Sequence, residues 1–311
     1  MPAVAAPAWH GSFESYVVGE AGRAASRVVP VPDPTEWEQR DTVLDAVALT
    51  EGKRRIAELR AASLRGLSHR SFGKVRQDEY GYRRTADDRY LVICVADGVG
   101  SGRLSHKAAH FVASWGVKWL ADLLVTMAPH EIDWADFVRK VAMRLEQRAR
   151  RLLGAEAEGK ELREVAEVMA TTVLYAVFDL HAVDGAHPVH LVSVGDTSAW
   201  VLRNGSWEPQ AAVKNDGAAV YSSSVQALPM VPAADPVTVR TTVRAGEALV
   251  LMTDGIGDPL GHGTGEVGKF LAEVWATPPV SGLEFAAHVG FARKTFDDDR
   301  TAVAVWPVAE A

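Results

Sequence analysis

LVICVADGVG, residues 91–100, is the most informative run in this chain, and ALVLMTDGIG at 248–257 repeats its plan. In each, an apolar run ends on an aspartate and a glycine: Asp97-Gly98 in the first, Asp254-Gly255 in the second. A run so continuously apolar reads as a strand covered on both faces, halted by a tight turn that presents a carboxylate. Asp-Gly after a strand is by itself an ordinary turn signal. With Asp78 in RQDEY and Asp298 in DDDR, however, four acids stand where apolar strands run out. Carboxylates so placed gather hard divalent cations.

After the first run, Ser105 is the expected cap of a helix whose apolar positions Phe111, Val112, Trp115, Trp119, Leu120 and Leu123 recur at three- and four-residue spacing until Pro129. Asp133 opens a second helix, with Trp134, Phe137, Val138, Val141 and Leu145 on one stripe and its end near Gly154. The tryptophans at this spacing are core residues. TTVLYAVFDL and HLVSVGDTSAWVLRNGSW then read as strands, with Asn204-Gly205 a hairpin signal. Glu247 to Thr253 and Thr301 to Trp306 are further strands, and amphipathic segments follow Glu266 and surround Phe285.

Upstream, the spacing of Val43, Val47, Ile56 and Leu59 predicts a helix within 42–64. Residues 1 to about 40 mix Ala, Pro and charge, and VVPVPDPTEW reads as an extended linker. The polar, proline-interrupted stretch from Gln210 to Ala245 reads as a long loop, and Ser222-Ser223-Ser224 as a solvated part of it. Strands first flanked and then separated by paired helices predict an α+β sandwich of two sheets with helices outside.

The 311 residues are 48% apolar, ample for a sizeable core, and the formal charge of −7 comes without a polybasic block. That balance argues against nucleic acid or an anionic membrane as partner. Cys94, the single cysteine, lies inside an apolar run, which excludes an intramolecular disulfide and a multi-cysteine zinc site. With neither a signal-like leader nor a long apolar span, the expectation is a soluble, cytoplasmic protein.

Six blocks now stand in order from Gly66 to about Trp306: GLSHRSFGKVRQDEY, VADGVGSG, MATTVLYAVF, VSVGDTSAWVLRNG, LVLMTDGIGD and DDDRTAVAV. Together they resemble the metal-dependent serine/threonine protein phosphatases of type 2C. GLSH followed by QD is similar to a bacterial subgroup that often opposes serine/threonine kinases. The resemblance implies stacked antiparallel sheets in a four-layer α/β/β/α arrangement, with 66–311 as catalytic domain and 1–65 as an N-terminal extension. It also implies two Mn²⁺ or Mg²⁺ ions, a phosphorylated protein as substrate, and in-line attack by a metal-activated water without a covalent enzyme intermediate.

By the same resemblance, Asp97 bridges both metals, the Gly98 carbonyl completes one shell, Asp78 reaches the coordination shell through its own carboxylate or a bound water, and Asp254 and Asp298 hold the other metal. A slip of one residue would exchange Asp298 with Asp299. Asp196 and Asp258 match acids that in some relatives bind a third metal. Val99 stands where some relatives carry a histidine as general acid, and Gly73 where others carry a phosphate-clamping arginine. Arg70, Lys74 and Arg76 are the nearby substitutes, and a bidentate guanidinium favours Arg70 or Arg76. His69 reads as a hydrogen-bonded structural residue, and Thr171 and Thr172 as packing residues opening a strand. The missing histidine and displaced arginine leave two rival expectations: a phosphoprotein-binding scaffold with little or no turnover, and an enzyme acting on a small phosphorylated metabolite.

Overall fold

The computed structural model describes residues 16–20, 40–99, 102–211, 226–231 and 235–309. The expected linker at 28–37, the serine run 222–224 and residues 212–225 and 232–234 of the loop expected over 210–245 lie outside the described residues.

The helix expected within 42–64 is instead a hairpin. Strands β1 (Thr42–Glu51) and β2 (Arg54–Leu64) pair antiparallel around the Gly52–Lys53 turn. Next come α1 (Leu67–Ser71), β3 (Glu79–Arg84) and β4 (Tyr90–Ala96). A long helical stretch follows as α2 (Ser105–Phe111), a π-type segment Val112–Gly116 and α3 (Val117–Leu124). Helix α4 (Trp134–Leu153) is capped by the Asp133 carboxylate, which accepts from the Asp136 N–H at 2.9 Å, and it stops at Gly154. Ser105 is not the cap expected of it: it is the first helical residue, and its hydroxyl donates to the Val99 carbonyl at 2.6 Å.

After α5 (Leu162–Ala166), the strands β5 (Val173–Asp179), β6 (Ala186–Val194), β7 (Ser198–Arg203) and β8 (Ser206–Ala211) run in succession. The hairpin predicted at Asn204-Gly205 joins the last two, both residues having positive φ. The expected loop over 210–245 contains a strand, β9 (Val237–Arg244), followed by β10 (Ala248–Met252), α6 (Asp254–Leu260), α7 (Glu266–Val274), α8 (Gly282–Val289) and β11 (Arg300–Pro307).

These strands form two antiparallel sheets, ordered β1-β2-β11-β10-β7-β8 and β3-β4-β5-β6-β9. Between them lies a core that includes Leu59, Ile93, Phe178, Leu249 and Val303, all fully buried. Each such side chain contributes about 1.5–3 kcal/mol by leaving water. Leu120, Phe137, Val141 and Leu145 of α3 and α4 cover the outer face of the smaller sheet. Leu271 and Phe285 of α7 and α8, with Trp275, cover the larger. The expected four layers are present. Since β2 is an interior strand between β1 and β11, the sandwich begins at Thr42, not at the expected boundary of Gly66.

Strand register places the acids. Glu79 pairs with Ala96, and Met252 with Ala302, so the starts of β3 and β11 meet the ends of β4 and β10 at one end of the sandwich. Asp78 precedes β3, Asp97 follows β4, Asp254 follows β10 and Asp298 lies just before β11. One rim therefore receives all four.

Candidate metal centre

The two Asp-Gly pairs share a packing reason. A Cβ on Gly98 would come within 2.8 Å of the Gln77 carbonyl oxygen, and one on Gly255 within 1.9 Å of the Asp299 oxygen. Each glycine thus lets a second acid-bearing segment close onto the first, Gln77–Asp78 onto Asp97 and Asp298–Asp299 onto Asp254. The Asp97 turn is pinned from β5's side, where the Thr172 N–H and the Thr171 hydroxyl each donate to the Asp97 carbonyl at 2.8 Å. Sequence reasoning gave those threonines packing alone.

Asp78 is buried, and its carboxylate accepts a 2.7 Å hydrogen bond from the hydroxyl of Thr253, which also accepts from the Thr301 N–H at 3.0 Å. Thr253 carries no motif signal beyond preceding Asp254, and sequence reasoning missed it. Burial, then the charges of Asp299, Asp298 and Asp254, push the Asp78 carboxyl well above its usual range, against the Thr253 hydrogen bond. Asp97 is raised in the same way, by burial first and then by Asp78, Asp254 and Asp298, and it shares a carboxyl hydrogen bond with Asp254. Burial and the Asp196 charge, with Asp258 and Asp298 adding to them, carry Asp254 up to about 6. Asp298, though open to solvent on one side, is raised by the partial desolvation of the rim and by the charges of Asp299 and Asp297, against the Asp299 N–H and the nearby His69.

The donor set fits a divalent cation: hard oxygen ligands, brought together at a cost that positive charge would offset. Among the described residues no Lys or Arg pairs with Asp78, Asp97 or Asp298. Arg300 is close but turns its guanidinium to the carbonyls of Gly255 and Phe296, at 3.1 and 2.6 Å.

The choice between Asp298 and Asp299 has a structural basis. Asp299 is buried and accepts from the Gly66 N–H at 2.6 Å and the Gln77 N–H at 2.5 Å, while His69 Nδ1 lies 2.9 Å from it. Its oxygens are committed to tying three segments together. Asp298 is exposed at the rim and, among the described residues, accepts only its neighbour's N–H, at 2.8 Å. His69 is buried with its ring beside Asp299. Burial opposes its charged form, but the Asp299 hydrogen bond and the Asp299 and Asp298 charges raise its pKa above the ordinary histidine value. Ligand-type atoms of His69, Asp298 and Asp299 all lie within 4.8 Å of one another.

A protein phosphatase 2C family model matches residues 65–284. The chain belongs to the protein phosphatase 2C family. Its members are metal-dependent protein phosphatases, and this phosphatase is a hydrolase of that class. No curated protein matches the sequence. Among solved structures, a bacterial serine phosphatase is similar at 14% identity and a TM-score of 0.57, over 81% of this chain and 98% of that one. The S. agalactiae serine/threonine phosphatase is similar at 14% identity and a TM-score of 0.53, over 86% of this chain and all of that one. Serine/threonine phosphatase Stp1 from Staphylococcus aureus gives 13% identity and a TM-score of 0.52, over 92% and 100%. These likenesses establish the shared fold.

The expectation that Arg76 clamps the substrate phosphate does not survive in this phosphatase. Arg76 is buried, with Nε donating to the Arg40 carbonyl at 3.0 Å, Nη1 donating to the Ser63 hydroxyl at 2.5 Å and to the Asp78 carbonyl, and Nη2 facing Glu79 at 3.4 Å. Its fork is a strut beneath Asp78. Arg70, in α1, is half-buried, and its Nε has no hydrogen-bond partner among the described residues. No helix of the phosphatase is long and apolar enough to cross a membrane among the described residues.

Proposed function

We propose that this phosphatase hydrolyses phosphoserine and phosphothreonine in proteins at a binuclear Mg²⁺ or Mn²⁺ centre, in bacterial signalling opposite a serine/threonine kinase. The ligands in this reading are Asp78, Asp97, the Gly98 carbonyl, Asp254 and Asp298. The observation that carries it is the convergence of those carboxyls at one end of the sandwich, set by strand register, where crowding and partial burial favour their protonated forms. A chain gains nothing from crowding like charges into a rim unless cations offset them.

When bound, divalent cations supply charge stabilisation to phosphoryl oxygens and make water nucleophilic near neutral pH. Thr253 fixes the direction of the Asp78 carboxylate, and the Arg76 fork fixes its backbone. Arg70 binds the phosphate dianion from α1, where an unpartnered guanidinium nitrogen supports that role. Val99 offers no proton, so water protonates the leaving oxygen. Asp196 and Asp258, whose charges act on Asp254, would take a third cation.

The test is turnover of a phosphothreonine peptide with Mn²⁺ by the wild type, Asp97→Asn and Asp254→Asn. Both variants should lose about 100-fold or more, the upper range found for groups that merely support metal ligands. Equal activity in all three proteins would sink the site. A wild type that binds the peptide without cleaving it would support the scaffold reading, and efficient cleavage of small esters alone would support a metabolite substrate.

A further inference from the structure

Strand β3, helices α2 and α3 and the C-terminal turns of α4 surround a cavity of about 950 Å³ on the side of the sandwich. Seven arginine and lysine side chains line it, against one carboxylate, that of Glu79. In a chain with a formal charge of −7, this is a local inversion of sign. The cations converge from separate elements: Arg83 from β3, Lys107 from α2, Lys118 from α3, and Arg148 and Arg151 from α4. Arg76 is spent on Asp78 and Ser63, and Lys118 pairs with Asp122 at 2.8 Å. Arg83 and Arg148 form no ion pair among the described residues.

Shape narrows the ligand. β3 is an edge strand, so among the described residues one side of its backbone lacks a neighbouring strand, and the Tyr80 N–H turns to the Glu79 carboxylate at 3.2 Å. At about 3.4 Å per residue, the six residues of β3 run about 20 Å, far longer than one phosphate and suited to an extended peptide. Tyr82 and Phe111 add ring surface to the wall. Glu79, the residue after Asp78, lines the cavity, so one end of it lies next in sequence to an acid of the rim. A net negative molecule repels a long polyanion elsewhere on its surface, which favours a short acidic segment over nucleic acid.

We propose that this groove binds the acidic flank of a phosphoprotein substrate, an extended segment carrying Asp, Glu or a further phosphate, while the phosphoryl group to be cleaved lies at the rim. Its link to turnover rests on the function proposed above, but peptide binding does not.

The experiment uses the full chain with Mn²⁺ and the double variant Arg83→Glu/Arg148→Glu, neither residue belonging to the acid rim. Substrates are a phosphothreonine peptide with acidic flanks, the same peptide with Asn and Gln flanks, and p-nitrophenyl phosphate. The wild type should favour the acidic peptide by about tenfold through KM, a preference that shrinks in 0.5 M salt, while the variant shows none and cleaves p-nitrophenyl phosphate normally. A wild type that cleaves both peptides equally, or a variant that keeps the preference, overturns the proposal. In parallel, fluorescence anisotropy with the labelled acidic peptide lacking phosphate should show about tenfold weaker binding to the variant. This arm decides the groove even if no substrate is turned over, a result that would count against the proposed function alone. Tighter binding of a single-stranded oligonucleotide of equal charge would overturn the peptide assignment.

Discussion

At the scale of single residues, adjacent aspartates do different work. Asp299 ties Gly66 and Gln77 into one knot beside His69, whereas Asp298 stands at the rim and, among the described residues, accepts only the Asp299 N–H. Asp299→Ala should therefore cost stability, about 3 kcal/mol for orphaning two buried N–H groups and losing a charged acceptor. Asp298→Asn should leave the unfolding midpoint nearly unchanged and instead raise the Mn²⁺ concentration needed for half-maximal activity. Urea unfolding and a metal titration of activity, run on both variants, read the two effects separately, and a reversal of the pattern would exchange the roles. Three acids of the rim were legible in the sequence because Asp97 and Asp254 follow apolar strands and Asp298 precedes one, whereas Asp78 stands before the polar strand β3 and was legible through its RQDEY block. The knot was not, since it depends on residues 66, 77 and 299 meeting, and nothing local marks that. Thr253 escaped notice for the same reason: its partners Asp78 and Thr301 are distant in sequence.

Among elements, legibility followed burial on both faces. β4 and β10 are wholly buried apolar runs and β11 is buried throughout with an apolar run from Ala302, and their boundaries were read to within a residue or two. β1 is an edge strand with few buried positions, and the Ala, Leu, Glu and Arg of β1 and β2 favour helix in isolation, so tertiary pairing overrode propensity. β9, another edge strand, was lost among the polar residues of its surroundings although Val237, Val239 and Val243 alternate along it. Helix α8 offers a pH prediction. His288 is buried against the rings of Tyr16 and Phe270, and burial lowers its pKa despite the opposing charge of Glu284. A depressed folded-state pKa means that stability is intact above the unfolded value of about 6.5 and is lost as pH falls toward the folded value. His288→Leu should then gain in melting temperature relative to the wild type as pH drops from 7.5 to 5. A difference between the two proteins that stays flat across that range would refute the coupling. The segment Tyr16–Glu20, bonded to Ala292 and Lys294, should loosen with it.

For the molecule as a whole, the rim sets stability against function. On the proposed function, the carboxyls that raise one another should leave the metal-free protein with a repulsion that bound cations would relieve. Asp78→Asn keeps the hydrogen bond from Thr253 available and removes one of the charges, so it should raise the melting temperature of the chelator-treated protein while abolishing most of the stabilisation by Mn²⁺. At Mn²⁺ concentrations 100 times the dissociation constant, the wild type should gain about 2.7 kcal/mol. Calorimetry with and without chelator measures both, and a variant less stable than the wild type without metal would mean that repulsion is not the dominant force at the rim.

The place of β11 between β2 and β10 also orders events during synthesis. A nascent chain emerging from the ribosome has every earlier strand in hand, yet its larger sheet remains split into β1-β2 and β10-β7-β8 until residues 300–307 are free. The acid-bearing segment before β11 arrives at the same moment. Premature termination therefore yields a polypeptide with two unjoined half-sheets and an incomplete rim, and enzyme activity becomes a report that translation has passed Pro307.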